Sequence, residues 1–131
     1  MRIDRIDHLV LTVADIAATV AFYERVLGME HVERGRRHAL HFGRAKINLH
    51  ESGNEFEPKA ARVTPGSGDI CLIADGASLD EVVAQLVAHE VPIEVGPVAR
   101  DGAIGAMTSV YVRDPDGNLV EISVYDDAGE E

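Results

Sequence analysis

Glu121 stands inside "LVEISV", a run otherwise almost wholly apolar, and a carboxylate in a mostly buried strand is costly to desolvate unless paired or metal-bound. Other residues of metal-ligand type fall in strand-like runs: His8 in "DHLVLTV", Asn48 and His50 in "KINLHE", and Asp69 in "DICLIA". Side chains alternate across a strand, so parity sorts their faces. His8 opposes Leu9 and Leu11, Asn48 and His50 oppose Ile47 and Leu49, Asp69 opposes Ile70 and Leu72, and Glu121 opposes Val120 and Ile122. Each strand therefore keeps one aliphatic face for packing and turns its polar group the other way. A mixed imidazole and carboxylate cluster suits a divalent transition metal, and an open coordination position makes such an ion catalytic. One two-His, one-carboxylate set is His8, His50 and Glu121. Taken singly, each residue has a plainer reading: His8 at the surface, Glu121 as an edge residue that discourages strand pairing, and Asp69 as loop chemistry after Gly66-Ser67-Gly68. Cys71 is expected to be a small core residue. His31, His38 and His41 sit among charges and are expected to be solvated, His41 being able to line a cleft.

These positions need elements to hold them. After the first strand, Asp15 can cap a helix over "DIAATVAFYERVLG", with Ile16, Ala17, Val20, Tyr23, Val26 and Leu27 as its buried stripe and Gly28 as its C-terminal stop. Three short strands follow, "MEHVER", "RHALHFG" and "AKINLHE", then a polar connecting loop over 51–68. The pattern then repeats with an offset of about 60 residues: the strand "DICLIA", then a helix opening on a Ser78/Glu81 capping box and burying Leu79, Val82, Val83, Leu86 and Val87. "IEVGPVAR" reads as a strand with an exit loop. "TSVYVRDPDGNLVEISVY" reads as a hairpin turning on Asp114-Pro115-Asp116-Gly117. The fold class expected is α+β: one domain over 1–131, with module one over about 4–51, module two over about 69–125, and an acidic, solvated tail over 126–131. Arg100, Ser109 and Tyr111 lie in or after "GPVARDGAIGAMTS", whose glycines suggest a flexible loop over a ligand. They are the candidate substrate-binding residues, with Arg100 the anchor for an anionic group.

The chain has 23 Asp and Glu against 12 Lys and Arg, a formal charge of −11 that disfavours nucleic acid or an anionic membrane surface as partner. No apolar run approaches the roughly 20 residues of a membrane span. With Cys71 as the only cysteine there is no intrachain disulfide, and a cytoplasmic location is the expectation.

"DHLVLTVADIAATVAFYERVLGM" at the front and "VYVRDPDGNLVEISVY" at the back together resemble the vicinal oxygen chelate superfamily, which groups glyoxalases, bleomycin-resistance proteins and ring-cleaving dioxygenases. "FEPKA", "TPGSGDICLIA" and "GPVARDGAIGAMTSVYVRDPDGNLVEI" are similar to a glyoxalase-domain subgroup without an assigned substrate. The resemblance implies two β-α-β-β-β modules whose mixed sheets pair into a barrel-like cup, one divalent ion (Zn, Ni, Mn, Co or Fe), and a homodimer. It puts the first-strand ligand on His8, the last-strand ligand on Glu121, the second-module ligand (usually His) on Asp69, and the fourth on Asn48 with His50 two residues on. Asp69 is a harder ligand than imidazole and Asn48 a weak neutral one. The implied function is a glyoxalase-like lyase or isomerase acting on a small molecule, with Glu121 or Asp69 moving the proton. The alternatives are a ring-cleaving dioxygenase and a metal-free small-molecule binding protein.

Overall fold

Each half of the chain is built from the same elements in the same order. The computed structural model describes residues 1–126, so the tail expected over 126–131 lies, beyond Asp126, outside the described residues. The first unit comprises Met1–Gly68 with Pro115–Gly117, and the second comprises Asp69–Asp114 with the chain from Asn118. In the first, β1 (His8–Val13), β2 (Glu30–Arg34), β3 (Arg37–Phe42) and β4 (Ala45–Glu51) form a sheet of order β1-β4-β3-β2. In the second, β5 (Asp69–Ile73), β6 (Val95–Asp101), β7 (Ala106–Arg113) and β8 (Leu119–Tyr125) repeat that order as β5-β8-β7-β6. In both, the outer pair β1/β4 or β5/β8 is parallel and the remaining pairs are antiparallel. This is the expected α+β class with mixed sheets.

Asp15, in extended backbone, accepts from the Ala18 N–H and starts α1 (Ile16–Ala21). The helix expected through Gly28 is α-helical only to Ala21 and continues as a π-helical turn over Phe22–Val26. Tyr23 is fully buried as expected, but Ala17 is exposed and Thr19, outside the expected stripe, is fully buried. Helix α2 (Leu79–Ala88) opens on the Ser78/Glu81 capping box, as the sequence predicts, but Val87 is 64% exposed and leaves the stripe to Val82 and Leu86. The aliphatic strand faces supply the rest of each core: Leu11, Val13, Leu40, Ile47 and Leu49 in the first unit, and Val110, Val112, Val120 and Ile122 in the second.

The strand read in "IEVGPVAR" is β6, which runs on through Asp101 where a loop was expected and pairs with β7 with a register shift between Val95 and Val98. Pro97 has no N–H to give to a ladder and sits inside that irregularity. The predicted turn before β8 holds. Asp114 Oδ1 accepts the Asn118 N–H at 2.9 Å and Oδ2 accepts Asn118 Nδ2 at 2.8 Å. Within the first unit, Asp116 Oδ1 accepts the Ala14 N–H at 3.0 Å.

Candidate functional site

In the first unit the register pairs His8 with Lys46, Val10 with Asn48, and Thr12 with His50. Paired residues share a face, so His8, Asn48 and His50 lie together on the face away from Ile47 and Leu49. At about 3.3 Å per residue and about 4.8 Å between strands, His8 and Asn48 are separated by roughly 8 Å at Cα, and His8 and His50 by roughly 14 Å. His8 is exposed, and its Nδ1 lies 2.8 Å from Asp7 Oδ1. A carboxylate only accepts, so Nδ1 carries the hydrogen and Nε2 is the nitrogen not engaged by Asp7. That hydrogen bond is the main cause holding the Asp7 carboxyl below its ordinary range. His50 is buried and packs edge-on against Phe56, and its Nδ1 has no hydrogen-bond partner among the described residues. It lines a cavity of about 180 Å³ together with His41, Asn48 and Phe56, among others.

In the second unit Cys71 pairs with Glu121 and Asp69 with Leu119 across β5/β8, while Tyr111 pairs with Glu121 and Ser109 with Ser123 across β7/β8. Asp69, Arg100, Tyr111 and Glu121 line one open cavity of about 380 Å³, with Glu94, Val95 and Leu119. Arg100 is on strand β6 rather than in a loop; its Nε donates to the Tyr111 hydroxyl at 2.9 Å and its guanidinium lies over the Tyr111 ring at 5.4 Å. Glu121 is half-buried, with the Ser123 hydroxyl donating to Oε2 at 3.3 Å. Ser109 leaves the substrate-binding set. It is fully buried and its hydroxyl is 2.6 Å from that of Ser123, because cross-strand pairing puts the two side by side.

Cys71 is not a core residue. Its strand parity carries it to the Glu121 face, where Sγ lies 3.3 Å from the Ser123 hydroxyl. Partial burial pushes its thiol up, Ser123 pulls it down less strongly, and the charge of Glu121 adds to the rise. At a given pH less thiolate is then present than on a free cysteine. Iodoacetamide is therefore expected to alkylate Cys71 in the folded protein several-fold more slowly than in the unfolded chain at pH 7.5, with the gap closing in alkaline buffer. Equal rates at pH 7.5 by mass spectrometry would contradict this.

Two of the histidines expected to be solvated are partnered instead. His31 and His38 stack across the β2–β3 hairpin with centroids 5.2 Å apart, Nε2 of one lying 2.9 Å from Nδ1 of the other. With Glu33 they place ligand-type atoms within 4.8 Å of one another, on the strand face that also carries Leu40. Their spacing in sequence offered no sign of this, because contact between positions 31 and 38 depends on the hairpin register.

A model of the glyoxalase/bleomycin resistance protein/dioxygenase superfamily matches residues 5–122. The chain belongs to that superfamily. Within it, the chain is 55% identical over 126 residues to a virulence protein of Salmonella typhimurium, an alignment covering 95% of this chain and 87% of that one. The solved structure of an integron cassette protein from the mobile metagenome of V. cholerae is 56% identical, with TM-score 0.92 over 96% of this chain and 98% of that one. The crystal structure of a lactoylglutathione lyase from Agrobacterium tumefaciens is 30% identical, with TM-score 0.73 over 95% of this chain and 96% of that one. No helix among the described residues is long and apolar enough to cross a membrane.

Proposed function

We propose that the chain is a metal-dependent small-molecule enzyme of the glyoxalase-like lyase or isomerase type. Its candidate divalent-ion ligands are, taken unit by unit, His8 and Asn48 on one face of the first sheet and Asp69 and Glu121 on one face of the second. The observation that carries this reading is the repeated register. His8 opens β1 and Asn48 lies two residues beyond its partner on β4; Asp69 opens β5 and Glu121 lies two residues beyond its partner on β8. The same spacing favours Asn48 over His50, whose Cα is roughly 14 Å from that of His8.

The donors fit an ion of this kind. Asp7 fixes the His8 tautomer and leaves Nε2 for a metal, an arrangement common behind metal-bound imidazoles. Glu121 has one oxygen, Oε2, steadied by the Ser123 hydroxyl at 3.3 Å. A bound divalent ion supplies Lewis-acid polarisation of a substrate's neighbouring oxygens. Glu121, half-buried, is positioned to accept and return a proton, with Asp69 as the second carboxylate of the same cavity. Arg100, oriented by Tyr111, would anchor an anionic part of the substrate there. The 30% identity to a lactoylglutathione lyase supports the lyase class over ring cleavage. A homodimer in the cytoplasm completes the reading.

Elemental analysis of protein purified without chelator tests it. The expected result is one divalent ion per chain and a lower thermal midpoint after EDTA treatment, since a ligand bound only by the folded state stabilises it. Metal absent, with no response to EDTA, would leave the metal-free binding protein. Asp7→Asn weakens the acceptor behind His8 and is expected to lower metal affinity about 10–100-fold without unfolding the chain. Unchanged affinity in a chelator competition would remove Asp7 from the site.

A further inference from the structure

We propose that the cavity on the first sheet is a subsite for an anionic end of the substrate, receiving carboxylate or phosphoryl oxygens between Arg34, Arg37 and Lys46. The proposal rests on the small-molecule enzyme reading and adds a substrate class to it. In a chain where acidic residues outnumber basic ones 23 to 12, this cavity is lined by three fixed cations and no carboxylate. None of the three has a carboxylate within 4.0 Å among the described residues. Glu30, opposite His41 on the neighbouring strand, and Asp7, whose carboxyl is hydrogen-bonded to His8, both stand outside the lining.

The arrangement is unfavourable by itself. Arg34 and Arg37 are directly opposed across β2/β3, and like charges in that position repel. An anion between them would reverse the sign of that interaction. Phe56, brought in from the connecting segment, lies under both the Arg37 guanidinium at 4.1 Å and the Arg36 guanidinium at 5.1 Å. Stacking on a ring holds a guanidinium plane while leaving its N–H edge to bind oxygens in a fork. The same ring holds His50, which is 8% exposed and has the unpartnered Nδ1. A second, independent polar atom therefore awaits a partner beside the cations. About 180 Å³ is below the roughly 300–1,000 Å³ of a whole drug-sized site, which suits one end of a molecule.

The test is a nuclear magnetic resonance titration of isotope-labelled full-length protein with inorganic phosphate and, separately, with acetate. The expected result is saturable shifts in the amides of β3 and β4. Arg37→Gln and Lys46→Gln should each weaken binding about tenfold, Arg37→Lys should recover part of it, and Arg25→Gln on the helix side should bind as the parent does. A stronger phosphate response supports the proposal with a phosphoryl group as source, and a stronger acetate response supports it with a carboxylate. No saturable shift with either anion, or equal binding in Arg37→Gln and Lys46→Gln, overturns it. Metal content is read on the same samples. Phosphate binding without metal would remove the metal reading and leave the anion subsite standing, and metal without anion binding would do the reverse.

Discussion

Glu121→Gln is expected to yield a folded protein that no longer holds its divalent ion. The substitution keeps the shape of the side chain and its contact with the Ser123 hydroxyl, 3.3 Å from Oε2 in the parent, so packing around Ile122 and Val120 should survive. What is lost is the negative charge and one strong ligand oxygen. Positioning groups behind a ligand already cost 10–100-fold in metal affinity when removed, so loss of the ligand itself should cost at least about 100-fold. At a metal concentration of 100 times the parent dissociation constant, the parent gains about 2.7 kcal/mol and the variant about 0.4 kcal/mol. The metal-induced rise in thermal midpoint should then shrink by roughly 10 °C. Metal content equal to the parent's by elemental analysis would remove Glu121 from the ligand set.

Asp114→Ala is the substitution expected to cost most stability near the site. Asp114 is 5% exposed and Asn118 only 1%, and two charge-assisted hydrogen bonds join them across the turn into β8. Hydrogen bonds to a charged group are worth about 1.5–3 kcal/mol each, and the two act on one residue, so a combined loss of about 3 kcal/mol is expected. That is a fall of roughly 10 °C in thermal midpoint for a chain of this size. Asn118→Ala should be similarly damaging and the double variant much less than additive, since the two residues share the interaction. A fall below about 3 °C would mean that the turn is held by other contacts.

The first of these predictions could be framed from sequence, because strand parity is local. Glu121 is flanked by Val120 and Ile122, and in a period of two this alone sends the carboxylate away from the aliphatic side. The same logic put His8, Asn48, His50 and Asp69 each on the face opposite its aliphatic neighbours. Cys71 was expected in the core as a small hydrophobe, although it shares parity with Asp69. Arg100 was placed in or after a loop because Gly102 and Gly105 read as its flexible points. A bulged hairpin accommodates Gly96 and Pro97, while those two glycines mark only its turn.

The sequence by itself determined the two-module order, the α+β class, the capping of both helices, the turn at Asp114–Gly117 and the face on which each candidate ligand lies. All of these follow from short-range periodicity and local hydrogen bonding. Tertiary structure alone decided that Asn48 rather than His50 lies one step from His8, that Ser109 is sealed against Ser123, that His31 meets His38, and that Phe56 carries Arg37 beside Lys46. Those facts depend on which strands pair, in what register, and where a connecting segment folds back. They are set by burial summed over the whole unit, which no local pattern records.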